Sequence, residues 1–233
     1  MEFPFSVMLI FLVGVKSAGA ILETPKIMGL QHRYNRHHHS NFKRKCDLSE
    51  IIGCSYDFAV ELDLKSDFDP VHVSAEIHEL LSTGQDGLER LCDAKKDLSA
   101  CLEWEGEACV TSSGFYEDFG FDEVNATMVA SMVKQLNFIC LPENYKVMYN
   151  HYDCILRQSD KETKKFDECS TEYEAKMDKH PKSTCFYTSQ FLNCVSEPFR
   201  NSCGHEVASV TCQANRIYYD DFLPNCHRQL HCY

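Results

Sequence analysis

The sequence predicts an all-α protein, a disulfide-stapled helical bundle of about six to eight helices. Apolar side chains recur at the 3.6-residue helical period over most of the chain. Glycine and proline, which interrupt helices, are sparse, with 10 and 7 among 233 residues. Fourteen cysteines provide an even number of thiols for cross-linking. Together these observations indicate helices that are joined to one another by disulfide bonds.

The first twenty residues have the pattern of a secretory signal peptide. An apolar run over 5–15 is too short to span a bilayer comfortably. It is followed by Ala18-Gly19-Ala20, the small-x-small pattern that signal peptidase cleaves. We therefore expect cleavage after Ala20 and a secreted, extracellular protein. No later stretch is apolar enough to span a bilayer, so no membrane span is expected in the mature chain.

All the cysteines follow the signal peptide, which favours a disulfide framework formed in an oxidising compartment. A cytosolic zinc or redox site would favour Cys-x-x-Cys, and the chain contains none. The cysteines are therefore predicted to form bridges. They are Cys46, Cys54, Cys92, Cys101, Cys109, Cys140, Cys154, Cys169, Cys185, Cys194, Cys203, Cys212, Cys226 and Cys232.

Residues 21–45 form a basic, His-rich arm before an acidic body. The arm holds six Lys or Arg residues against one Glu, a net charge of +5. The whole chain has a net charge of −12 and the signal peptide is neutral, so residues 46–233 carry −17. We expect a flexible arm. It is a solvated leader, a pro-segment removed near Lys43-Arg44, or a segment that docks on an acidic partner or on the body. The acidic body, read as one cysteine-rich helical domain, argues against nucleic-acid binding.

Eight helical segments are predicted after the arm. Asp47-Leu48-Ser49-Glu50 has the pattern of a helix N-terminus, although alternating apolar residues after it leave a strand as the alternative. Asp69-Pro70 predicts the start of a second helix over 71–82. Residues 111–122 are predicted to be a loop. The other segments are 88–102, 124–139, 142–155, 166–177, a seventh from Ser183 or Thr184 to Pro198, and a last from Cys203 toward Pro224.

Several cysteines lie nine residues apart, which is two and a half helical turns. Two cysteines at this spacing in one helix lie on opposite faces and must bond to different neighbours. We expect this for Cys92 with Cys101, and for Cys203 with Cys212.

No pattern of catalytic, cofactor-binding or metal-ligating residues is complete. His78-Glu79 and His205-Glu206 begin like the zinc-protease motif His-Glu-x-x-His, but Ser82 and Ser209 replace the second ligand. His151-Tyr152-Asp153-Cys154 resembles part of the phospholipase A2 site, but the residue order differs and a calcium loop is missing.

The remaining candidate ligands are weaker. His37-His38-His39 lies in the arm, where it has no fixed geometry. Glu103, Glu105 and Glu107 are predicted to form a solvated helix surface, and Asp63, Asp67 and Asp69 lack the Gly and distal Glu of a calcium loop. We therefore predict no enzymatic activity and no cofactor or metal.

One modification site is predicted. Asn125-Ala126-Thr127 is an N-glycosylation sequon, and a secreted chain meets the enzymes that modify it. We therefore expect a glycoprotein.

Three segments of the second half carry a family resemblance. Leu192-Asn193-Cys194, Ser202-Cys203-Gly204-His205-Glu206 and Leu223-Pro224-Asn225-Cys226 resemble the secreted cysteine-rich domain of unknown function that is expanded in nematodes. The run at 91–103, LCDAKKDLSACLE, is similar in cysteine rhythm to the insect hemolymph glycoprotein family. The resemblance implies an extracellular, helical, disulfide-bonded domain with no established enzymatic activity. That family typically has twelve cysteines, and Cys232 lies beyond its usual last one.

The sequence thus favours a secreted, non-enzymatic, disulfide-rich protein that binds a protein partner or a hydrophobic small molecule outside the cell. Abundant Phe, Tyr and Met suit an adaptable apolar pocket, and equally suit an ordinary core. The alternatives are a secreted hydrolase with an unrecognised site and a protease-resistant structural or defence protein.

Overall fold

The structure, a computed structural model, describes residues 47–65, 69–107, 109–117 and 120–233. The side chains of Leu48 and of 104–107 are not described. The predicted signal peptide with its cleavage site after Ala20, the basic arm with His37-His38-His39, and Cys46 all lie outside the described residues.

Ten α-helices make up most of the described chain, and the described residues form no strand. The predicted all-α, disulfide-stapled class is confirmed. Short 3₁₀ turns lie at Pro181–Ser183 and Pro224–Cys226. The helices are α1 Leu48–Glu61, α2 Pro70–Ser82, α3 Gln85–Glu107, α4 Ser112–Glu117, α5 Glu123–Ile139, α6 Pro142–Asn150, α7 Tyr152–Lys161, α8 Thr163–Lys179, α9 Thr184–Cys203 and α10 His205–Phe222.

The two helix starts that the sequence predicted from aspartates are both confirmed. The Asp47 carboxylate accepts hydrogen bonds from the backbone N–H groups of Ser49 and Glu50. The Asp69 carboxylate caps α2 in the same way, with Pro70 in the first helical turn. The segment after Asp47 is therefore a helix and not the alternative strand.

Three predicted boundaries are wrong. The predicted helix over 142–155 is two helices that meet at His151. The predicted loop at 111–122 contains α4. The predicted stop at Pro198 is absent, because α9 continues to Cys203 and ends at Gly204, whose φ of 105° favours glycine. Pro198 is buried inside α9, so tertiary packing offsets the loss of one backbone hydrogen bond.

The expected acidic surface on α3 is also interrupted. Glu103 has φ 50° and ψ −175°, so the helical path breaks there. The helix that was predicted to carry Glu103 and Glu107 on one face is therefore not continuous at Glu103.

Six disulfide bonds join pairs of described cysteines. Cys109 is disulfide-bonded as well, and none of the described cysteines is a free thiol. The pairs are Cys54–Cys101, Cys92–Cys140, Cys154–Cys203, Cys169–Cys194, Cys185–Cys226 and Cys212–Cys232.

The nine-residue spacing has the predicted effect within α3. Cys92 bonds to Cys140 after α5, and Cys101 bonds to Cys54 of α1. Cys203 and Cys212 also bond to different neighbours, but they do not share a helix as predicted. Gly204 separates them, since Cys203 ends α9 and α10 begins at His205.

None of the six bridges joins residues before Cys140 to residues after it. The two halves meet instead in one hydrophobic core that runs from α1 and α2 to Leu230. At this junction Asp221 of α10 accepts hydrogen bonds from Ser131 and Lys134 of α5. The buried Gln135 amide of α5 donates to the carbonyl of Ala214 at 3.0 Å. Hydrophobic packing and buried polar contacts therefore hold the halves together.

A second contact across the junction involves Tyr152, the first residue of α7. Its side chain is buried, and its hydroxyl donates to the Leu81 carbonyl of α2 at 2.8 Å. Burial raises the pKa of Tyr152 well above its usual value, so the phenol remains neutral and a donor.

Among the described residues, no helix combines the length and the apolar character needed to cross a membrane.

Replacing Tyr152 with Phe should remove this hydrogen bond while keeping the ring packed. We expect Tyr152→Phe to lower the free energy of unfolding by about 1 kcal/mol. Urea denaturation followed by circular dichroism measures this difference. Tyr116→Phe is the matched control, because Tyr116 is 55% exposed and should change stability by less than about 0.5 kcal/mol. Equal effects of the two substitutions would contradict a specific role for the Tyr152 hydroxyl.

Candidate functional site

The C-terminal segment lies along α9 and forms an open groove with it, the C-terminal groove. Its volume is about 480 Å³. No acidic side chain, lysine or arginine is among the residues that line it. These residues are Phe186, Ser189, Gln190, Asn193, Gln229, His231 and Tyr233.

Two disulfide bonds and a buried leucine fix the segment that forms one wall of the groove. Cys185 of α9 bonds to Cys226, and Cys212 of α10 bonds to Cys232. Between these bridges, the side chain of Leu230 is only 1% exposed and belongs to the main core. The wall is therefore attached to α9, to α10 and to the core.

Two polar side chains of α9 bind the backbone of this segment. The Ser189 hydroxyl accepts a hydrogen bond from the His231 N–H at 3.1 Å and donates to the Gln229 carbonyl at 2.9 Å. The Asn193 amide donates to the His231 carbonyl at 2.9 Å and accepts from the Tyr233 N–H at 2.8 Å. These four bonds hold the segment against α9 and fix its register.

Side-chain contacts with Asp220 help to hold the start of the segment. The His227 Nδ1 lies 3.0 Å from Asp220 Oδ2, while Arg216 Nε lies 3.7 Å from the same oxygen. Burial raises the pKa of Asp220, an effect that nearby Asp221 reinforces and that His227 and Arg216 oppose. Asp220 therefore links the end of α10 to the turn that leads into the groove.

Aromatic side chains form the exposed edges of the groove. Phe186 is 59% exposed and Tyr233 is 71% exposed. The rings of His231 and Tyr233 lie 6.0 Å apart, and Phe186 makes an edge contact with Tyr187. Large aromatic rings with this degree of solvent exposure are suited to contact with another molecule.

Side-chain amides supply the hydrogen-bonding capacity of the groove. The Gln190 Oε1 accepts from Lys176 Nζ at 2.9 Å, and this bond orients the amide. Its Nε2 group makes no hydrogen bond within the described part of the chain. An amide can donate to a carbonyl and accept from an N–H, so the groove can bind peptide backbone.

The groove does not contain the parts of a nucleophilic active site. Ser189 contacts the backbone of His231 and not its imidazole, and its hydroxyl donates to the Gln229 carbonyl. A serine nucleophile needs a neighbouring general base to take its proton. The arrangement serves to position the segment.

The two incomplete zinc motifs lie on separate helices. The Ser82 hydroxyl donates to the Glu79 carbonyl of the same helix, α2. His205 is exposed at the first turn of α10, and Ser209 is exposed one turn later. Among the described residues no group of three His, Cys, Asp or Glu side chains could hold a metal ion.

The other candidate residues from the sequence lie in the core, on the surface or at a helix end. Met148, Tyr152 and Ile155 belong to the main core. Asp153 is exposed next to Cys154, which bonds to Cys203. Asp69 caps α2 and Asp63 lies 3.8 Å from Arg90, while Asp67 lies outside the described residues.

Sequence reasoning did not find the groove, although one of its lining residues and one of the cysteines that fix its wall lie in recognised segments. Asn193 is part of Leu192-Asn193-Cys194, and Cys226 ends Leu223-Pro224-Asn225-Cys226. The third segment, around Gly204, forms the turn between α9 and α10. Two of the three segments that carry the resemblance therefore contribute to the groove or to its C-terminal wall.

No protein-family model matches the chain, and no curated protein or solved structure shows significant similarity to it.

Replacing Asn193 should loosen the C-terminal segment without disturbing α9. We expect Asn193→Ala to increase amide hydrogen exchange at 231–233 by about tenfold, because two hydrogen bonds to that backbone are lost. Exchange measured by mass spectrometry at peptide level tests this. Gln190→Ala is the control, since Gln190 lines the same groove and does not bond to the segment. Unchanged exchange in Asn193→Ala would show that the bridges alone hold the segment.

The predicted glycosylation site lies in the first turn of α5. The Asn125 Nδ2 group donates to Asp122 Oδ2 at 2.7 Å, and a glycan would replace only one of its two hydrogens. Thr127 is 5% exposed, with its hydroxyl bonded to the Glu123 carbonyl. The threonine of the sequon is therefore buried in the folded protein, so we expect glycosylation of Asn125 to precede folding.

Protein secreted from eukaryotic cells should lose one N-glycan mass on treatment with peptide-N-glycosidase F. We expect Thr127→Val, which keeps the buried shape but removes the hydroxyl that the sequon requires, to abolish this mass. Thr127→Ser is the matched control and should retain it. A wild-type chain of unmodified mass would contradict the prediction.

Proposed function

We propose that this protein acts outside the cell as a non-enzymatic binding protein, and that the C-terminal groove binds an extended peptide segment of a protein partner. The observation that carries this proposal is the exposure of Phe186 and Tyr233 on the two sides of a groove whose C-terminal wall is fixed by two disulfide bonds. Aromatic residues are enriched at protein interfaces. A wall that is already ordered loses little conformational entropy on binding.

The open shape of the groove favours a peptide over a hydrophobic small molecule. Carrier pockets bury about 70–90% of a drug-sized ligand. Here both edge rings are more than half exposed, and three of the lining residues carry side-chain amides. A peptide contributes both apolar side chains and backbone hydrogen-bonding groups, and so matches both parts of this surface.

The cysteine pattern supports an extracellular location. Six bridges join described cysteines, and structural disulfides persist in oxidising compartments. The predicted signal peptide gives a route to such a compartment. Membership in the nematode-expanded cysteine-rich family stays a hypothesis.

The same groove supports the non-enzymatic part of the proposal. Ser189 and Asn193 use their polar atoms to bind the C-terminal segment. The groups left toward solvent are aromatic rings, amides and the exposed His231 imidazole, which contribute contact and hydrogen bonds. Within the described residues no hydrogen bond joins this imidazole to a serine or a carboxylate, so the groove lacks a paired base and nucleophile.

Selection from a displayed library of linear peptides tests the proposal without a known partner. The immobilised, oxidised protein should enrich peptides with apolar side chains. Phe186→Ala should weaken the binding of a selected peptide by at least about tenfold, as expected for an aromatic anchor. Tyr116→Ala is the control, because Tyr116 is similarly exposed but lies on α4. Its effect should stay within about twofold.

Two results would contradict the proposal. One is the selection of peptides whose affinity is unchanged by Phe186→Ala. The other is a noncovalent lipid-like mass, seen by native mass spectrometry on the secreted protein and lost on denaturation. The second result would support the hydrophobic-ligand alternative instead.

A further inference from the structure

A second apolar surface lies on α1, far along the chain from the groove. Ile52, Tyr56 and Val60 are 51%, 59% and 56% exposed. Their spacing of four residues places them in one row along the helix, the α1 stripe. The other side of α1 packs on α3, where Ile51 and Cys54 form a small cluster with Leu102 and Cys109. The stripe is therefore not the core-facing side of the helix.

A row of carboxylates runs beside the α1 stripe. Glu50, Asp57 and Glu61 are exposed and lie at positions i, i+7 and i+11, so they share one side of the helix. Residues 47–64 hold five acidic side chains and no lysine or arginine. Basic residues begin at the edge of this stretch, since Lys65 follows it directly and Arg90 lies 3.8 Å from Asp63 just beyond α1. An occupant of the stripe must therefore combine apolar and basic side chains.

Gly53 lies beside the stripe, on the side of the helix that faces the row of carboxylates, and is a second indication of an occupant. A glycine inside a helix costs about 1 kcal/mol relative to alanine. A Cβ atom at Gly53 would meet nothing within 4 Å, so packing within the described residues does not require a glycine there. A glycine on an exposed helix face permits another chain to approach the backbone closely.

We infer that the α1 stripe is the docking site of this chain's own residues 21–45. Their net charge of +5 equals in size the charge of −5 carried by 47–64. They also contain apolar residues, among them Ile27, Tyr34 and Phe42. The segment ends two residues before Asp47, which begins α1, so its local concentration at the stripe is high without a second molecule.

The length of the segment is sufficient. α1 contains 14 residues and is therefore about 21 Å long. The 25 residues of 21–45 can span more than this even when they turn back at the N-terminus of the helix. A second copy of α1 is a poorer occupant, because its carboxylates would face those of the first.

Photo-cross-linking of the full secreted chain tests this inference. Tyr56→p-benzoylphenylalanine places a reactive ring in the stripe, and Tyr116→p-benzoylphenylalanine provides an equally exposed control on α4. After irradiation, reduction and digestion, mass spectrometry should find residue 56 joined to a peptide from 21–45. The yield should fall several-fold at 1 M salt, since screening weakens the attraction between the charges. The control should give at least fivefold less of the same product.

A second variant separates loss of docking from loss of folding. Gly53→Leu, made in the Tyr56→p-benzoylphenylalanine chain, places a side chain in the open space beside the stripe and is a better helix former. It should lower the cross-link yield at least fivefold while the helical circular dichroism is retained and Tm does not fall. Cross-links only to a second copy or to no peptide, or an unchanged yield in Gly53→Leu, would overturn the inference.

Discussion

The fold depends most on the spacing of three cysteines along α9. Cys185, Cys194 and Cys203 are each nine residues apart, so successive sulfur atoms leave opposite faces of the helix. They bond to the turn after α10, to α8 and to α7 respectively. One helix is thereby fixed to three different neighbours, and a buried proline in its last two turns does not end it. These bridges to α9 also make the groove rigid, because α9 provides four of its lining residues, Phe186, Ser189, Gln190 and Asn193.

The first half of the described chain is held differently. Two bridges join its described cysteines, and its link to the second half consists of core packing and a few buried polar bonds, such as those of Tyr152 and Gln135. A disulfide acts mainly by restricting the unfolded chain, whereas a packed junction depends on the fit of its side chains. Core substitutions at this junction should therefore affect how the halves associate more than the geometry of the groove.

Structural features that depend on neighbouring residues were predictable from the sequence, and features that depend on residues far apart in the chain were not. Asp47 and Asp69 predict helix starts because each carboxylate caps its helix through the N–H groups of the next three residues alone. The helix break at His151 has no glycine or proline that would predict it. Pro198 predicts a helix end, but its packing in the core lets α9 continue. The partner of Cys232 is Cys212, and cysteine connectivity cannot be deduced from spacing alone. The groove was missed for the same reason, since Ser189 and Gln229 meet across 40 residues.

The two exposed surfaces differ in ways that follow from how they are attached. The groove is lined by no lysine, arginine or acidic side chain, is rich in amides and is fixed by bridges at both ends of its wall. Such a surface is ordered before a partner arrives, and its contacts are little affected by salt. The α1 stripe is flanked by carboxylates on a helix that one bridge, Cys54–Cys101, ties to α3. Binding there depends on charge and weakens as salt rises. The proposed partner of the groove and the proposed occupant of the stripe should therefore differ in how salt affects their binding.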